Sequence, residues 1–169
     1  MNSAKTLYTL LNVLFVLLIF SIGISILFAI LIGVGLDVSF VSTDSEVLEY
    51  TNDSLFYVFA VLLLIIYGIF CYGIWQLRKA ASIFMTKAFY TESAVRVLAM
   101  AGKSFVITGI FAWVIDGLSN IHFNSEISLS LSDKTFMYLF LTSIGLFILL
   151  MSAVIKDAMS LKEENDLTV

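Results

Sequence analysis

Between Lys5 and Asp37 the chain carries no charged residue, and from Leu7 to Leu31 it is almost continuously Leu, Ile, Val and Phe. At about 1.5 Å per residue, a helix of that length exceeds the roughly 30 Å of hydrocarbon in a bilayer. The apolar core is too long for a secretory signal, and no small-residue cleavage site stands out, so the segment reads as an uncleaved anchor. The rest of the chain is of the same kind. Of its 169 residues, 60% are hydrophobic and 13% charged, and a single soluble core of this size cannot bury so much apolar surface. The chain has no proline, so long helices are left unbroken.

Three further runs follow the first. Leu55 to Trp75 is uncharged and is stopped by Arg78 and Lys79. The third, 104–121, is charge-free only as far as Ile115 and must take in Asp116 to reach spanning length. The fourth, 135–155, ends at Lys156 and Asp157. The expected fold is therefore all-α: a polytopic membrane protein with four transmembrane helices, about 7–31, 55–76, 104–121 and 135–155. An acidic outer loop, 36–54, follows span one, and a tail, 156–169, follows span four. Between spans two and three, residues 77–103 mix Lys87, Glu92 and Arg96 with Ile83, Phe84, Met85, Phe89, Val95, Val97 and Leu98. This reads as a short amphipathic elbow of two short helices meeting near Tyr90, with Thr91 and Glu92 as a helix start.

Cations resist translocation, so short cytoplasmic loops collect them. Lys5, Arg78, Lys79, Lys87, Arg96, Lys103, Lys156 and Lys162 fall on one side of the four-span layout, and Lys134 alone on the other. Both termini and the elbow are thus expected in the cytoplasm, in a multi-pass protein of a bacterial cytoplasmic membrane. Trp75 near the inner boundary, and Tyr50, Tyr57, Trp113 and Tyr138 toward the outer one, suit interfacial anchoring.

Chemistry-bearing residues are few. Asp116 is the one acid within an expected span, which makes it a candidate for proton or cation handling, set against a structural role near the outer surface or a pairing with Lys134. His122 is the sole histidine, and with Asp116 it supplies two metal ligands where a site needs more. Cys71 is the sole cysteine and reads as a small packing residue, so no intrachain disulfide can form. No HExxH, GxSxG or phosphate-cradling glycine loop is present. The expectation is a protein that is not an enzyme and needs no cofactor. A net charge of −4 argues against direct nucleic acid binding. Small residues, namely Gly68, Gly73, Gly109 and Ser143 with Gly145, would let helices approach closely.

Two segments could serve contacts. The elbow has five basic residues against one acid, with Phe84, Met85, Phe89 and Tyr90 as apolar anchors. The tail ends on Leu167, Thr168 and Val169, a handle able to add to a sheet edge. Candidate partner contacts are therefore Phe89, Arg96, Leu167 and Val169, beside the lipid bilayer itself.

The elbow Phe89-Tyr90-Thr91-Glu92-Ser93-Ala94-Val95-Arg96-Val97-Leu98 and the ending Leu161-Lys162-Glu163-Glu164-Asn165-Asp166-Leu167-Thr168-Val169, together with the four-span layout, resemble a bacterial membrane family catalogued as domain of unknown function two-nine-seven-five. Many of its members carry a proline before the elbow phenylalanine, where this chain has Ala88. The family has no established activity, and its members are often encoded beside a small helix-turn-helix regulator. The resemblance implies such a regulator as a partner, not a catalytic residue; chemistry-poor spans joined to a basic, aromatic elbow and a distinctive tail lead to the expectation of a sensor or sequestering anchor for it. The competing expectation is a small transporter or channel subunit using Asp116, assembled as a homo-oligomer because four short helices enclose little space.

Overall fold

A computed structural model describes residues 2–33, 54–86, 90–124 and 133–167. The described residues are helical apart from Thr86, Tyr90 and Thr91, and form α1 (Asn2–Gly33), α2 (Ser54–Met85), α3 (Glu92–Asn124) and α4 (Asp133–Leu167). The helices contain 32, 32, 33 and 35 residues. At about 1.5 Å per residue each is near 50 Å long, well beyond the roughly 30 Å of a hydrocarbon layer. All four are long and apolar enough to cross a membrane. The acidic segment after α1 lies almost wholly outside the described residues.

The expected pair of short elbow helices is not what forms. Residues Ala80 to Met85 are the last turns of α2, and Glu92 to Lys103 are the first turns of α3. No proline separates these segments from the apolar runs they join, Gly102 at the second junction stays helical, and a helix already nucleated extends at little cost. Charge marks where a span meets water; it does not end the backbone hydrogen bonding. The helix start at Thr91 is as expected. Its Oγ1 accepts the Ala94 N–H at 3.3 Å, and Glu92 stands in the first turn, where the helix dipole favours an acid.

Packing follows chain order. α3 is sandwiched between α2 and α4, while α1 packs chiefly on α2. Half of α3's apolar stretch is buried, and none of α1's is. The arrangement is a row of helices with α3 innermost, so the span of lowest mean hydropathy, the one that holds Asp116, becomes the centre of the fold.

What is inside and outside is reversed from a soluble bundle. Buried positions are mostly Ala80, Ala81, Ala94, Ala101, Ala112, Gly102, Gly109, Gly145, Cys71, Ser104, Thr108 and Ser152. The exposed belt is large and apolar, with Leu10 at 62%, Phe20 at 68%, Met137 at 71% and Phe140 at 69% exposure. In water, covering each such side chain is worth about 1.5–3 kcal/mol. About forty large apolar side chains lie exposed, a burden of tens of kcal/mol against a net stability of about 5–15 kcal/mol for a folded domain. In hydrocarbon the burden vanishes, and helices gain by bringing small residues together.

Candidate functional site

The seam between α3 and α4 sets the positions of everything else. A Cβ on Gly102 would stand 2.8 Å from the Gly145 carbonyl oxygen and from Leu149 Cγ, and one on Gly145 would stand 2.7 Å from the Val106 nitrogen. One on Gly109 would overlap Thr142 Oγ1 and lie 2.8 Å from the Tyr138 carbonyl oxygen. These are backbone-to-backbone approaches that only glycine permits. On α4 the contacting positions Tyr138, Thr142, Gly145, Leu149 and Ser152 recur at alternating steps of four and three, the spacing of a left-handed helix pair. Ser152 Oγ closes the seam by donating to the Val95 carbonyl at 2.8 Å. The two helices are therefore antiparallel.

At one end of this seam sits Asp116. Lys134 Nζ reaches its carboxylate at 3.7 Å, with the lysine side chain 70% exposed and the aspartate 20%. The anticipated pairing is present, at the rim of the bundle where Lys134 faces outward. The ring of His122 lies 6.4 Å from that of Phe59 on α2. Among the described residues no group of three His, Cys, Asp or Glu side chains could hold a metal ion.

At the opposite end, α2 carries a cluster of polar and cationic contacts. Gln76, 4% exposed, donates to Tyr72 Oη at 2.5 Å and to Met100 Sδ of α3 at 3.3 Å. Arg78 donates to Asn12 Oδ1 of α1 at 3.1 Å and lies 5.1 Å from the centre of the Phe15 ring. Lys79 Nζ sits 3.5 Å above Trp75. Gln76 escaped the sequence reading although it is the chain's only glutamine and stands in the last turn of an apolar run, a signal that was available. Arg78 does more than stop a span: it ties α1 to α2.

Beyond this cluster, the end of α4 runs past the start of α3. Tyr90, Thr91 and Glu92 face Met159, Lys162 and Glu163 across an open groove of about 390 Å³. The elbow and the tail, which the sequence offers as separate handles, thus line a single groove. Arg96 lies one turn into α3 and is exposed. Leu167 is the last residue of α4, while Phe89 and Val169 lie outside the described residues. The groove walls mix both signs of charge with Tyr90 and Met159, which suits a contact surface better than a reaction pocket. No protein-family model, curated protein or solved structure matches the chain, so the family resemblance rests on the two sequence stretches and the four-span layout.

Proposed function

We propose that this chain is a multi-pass protein of a bacterial cytoplasmic membrane, with both termini inside, that acts through contacts made by its cytoplasmic end. The observation that supports this reading best is the shared groove, in which Tyr90, Thr91 and Glu92 meet Met159, Lys162 and Glu163. It lies at the end that carries eight of the nine cations, the end that the distribution of Lys and Arg assigns to the cytoplasm. A small cytoplasmic regulator, such as the helix-turn-helix protein the family resemblance implies, is the partner proposed. Holding it at the membrane would keep it from its target.

The ion pair between Asp116 and Lys134 gives the intramembrane acid a structural partner at the rim, and no group of three His, Cys, Asp or Glu side chains able to hold a metal ion forms among the described residues. The transport reading therefore draws no added support from the fold. Photo-crosslinking from Tyr90 and Lys162 in cells, followed by purification in mild detergent, tests the contact reading. The expected result is one small cytoplasmic protein captured from both positions and lost on deleting 161–169. Capture of nothing from either position, or capture unaffected by that deletion, would overturn it.

A further inference from the structure

Seven residues of α-helix fall about 20° short of two full turns, so Arg96 and Lys103 share one face of α3, about 10.5 Å apart along its axis. Both are exposed, and Ala99 lies between them on that face. Neither has an ion-pair partner among the described residues. Beyond Lys103 the same face continues with Ile107, Ile110 and Val114, all exposed.

The depth of Lys103 is what needs explaining. Its neighbour Gly102 meets Gly145 and Leu149, near the middle of α4's charge-free stretch 135–155. On the other flank, Gly73 of α2 faces Ser104 and Phe105, which sets Lys103 about one turn to the apolar side of Arg78. A cation needed only to orient the chain would sit at the surface. One placed a turn deeper must extend its stem toward the headgroups and find an anion there. Arg96 stands two turns nearer the surface, and Lys103, on a helix whose side chains lean toward the N-terminus, leans over Ala99 toward it.

We infer that Arg96 and Lys103 form a site for the phosphate of an anionic phospholipid in the inner leaflet, with Ala99 as its floor. The acyl chains lie along Ile107, Ile110 and Val114. A lipid fits this surface better than a free anion because the cations stand at the head of an apolar stripe, the order in which a phospholipid presents phosphate and hydrocarbon. The inference rests on the membrane placement proposed above.

The test uses the full chain in mild detergent, incubated with equal amounts of phosphatidylglycerol and phosphatidylcholine, with retained lipid counted by native mass spectrometry. Preferential retention of phosphatidylglycerol is expected. Lys103→Gln and Arg96→Gln should each weaken it about fivefold, the weight of one well-placed cation at an anionic surface. Lys103→Arg should preserve it, and Lys134→Gln at the other end should leave it unchanged. Equal retention of the two lipids would overturn the site, as would an equal loss in Lys134→Gln, or displacement by millimolar inorganic phosphate. Flotation with vesicles separates the two proposals. A chain that does not float refutes the membrane placement; one that floats without lipid preference refutes this site alone.

Discussion

Replacing Gly145 with alanine should be among the most damaging single-methyl changes the chain can suffer. The added Cβ would stand 2.7 Å from the Val106 nitrogen, 2.8 Å from Val106 Cγ2 and 2.9 Å from the Gly102 carbonyl oxygen. Two of these atoms are backbone and cannot swing aside, so α3 and α4 must separate by about 0.5–1 Å to restore ordinary contact. A gap of that size forfeits a quarter to a half of the dispersion energy along the seam. It also strains the Ser152 to Val95 hydrogen bond at 2.8 Å. Overpacking of this kind costs about 1–3 kcal/mol. Gly68→Ala is the matched control, since a Cβ there meets nothing within 4 Å, and the change should gain about 0.5–1 kcal/mol from helix propensity. The same chemical substitution is thus expected to differ by about 1.5–4 kcal/mol between two helices. Equilibrium unfolding in mixed micelles, titrated with a denaturing detergent, reads the difference. If the two variants unfold within about 0.5 kcal/mol of each other, the close seam between α3 and α4 is wrong.

Three other outcomes follow from named contacts. A double-mutant cycle of Asp116→Asn with Lys134→Gln, read by the same unfolding assay, should give a coupling below about 1 kcal/mol, because one partner is 70% exposed; a coupling of about 3 kcal/mol or more would mean a buried, functionally charged site. Gln76→Leu should cost no more than about 1–2 kcal/mol, the range of hydrogen bonds between helices in bilayers, by the same assay; loss of all folded protein would show that the Gln76, Tyr72 and Met100 cluster does more than join α2 to α3. Cys71 is buried, so in intact micelles it should resist a water-soluble maleimide and react only on unfolding; rapid labelling of the native protein would place it on an accessible surface.

The helices were legible in the sequence because hydrocarbon imposes a simple rule: a run free of charge and long enough to cross must satisfy its own backbone. Their ends were not. Counting charges trims the third span to Ser104 onward, yet α3 begins at Glu92 and lies at the heart of the fold. Charge reports where a helix meets the interface, and a long-stemmed cation set a turn deeper, as proposed for Lys103, blurs even that. Glycines were half legible. Gly73, Gly109 and Gly145 do bring helices together, whereas Gly68 faces open space and Ser143 is exposed with its hydroxyl bonded to its own Leu139 carbonyl at 2.9 Å. Gly102 does the same work at the centre of the seam, but its place between charged residues hid it. Which face of a helix a small residue occupies depends on its neighbours, and no single run of sequence carries that information. The meeting of elbow and tail was illegible for the same reason: it arises from the antiparallel register of α3 and α4, fixed by glycines about ten residues away.

The claim beneath all of this is that lipid is the solvent for the exposed belt of α1 to α4 and that the cation-rich end faces the cytoplasm. Reporter fusions at Ser45, Lys87, Asn124 and the C-terminus test it most directly, using one reporter active only outside the membrane and one active only inside. Activity outside at Ser45 and Asn124, and inside at Lys87 and the C-terminus, is the result expected. A fusion at Lys87 reporting from outside would contradict the account.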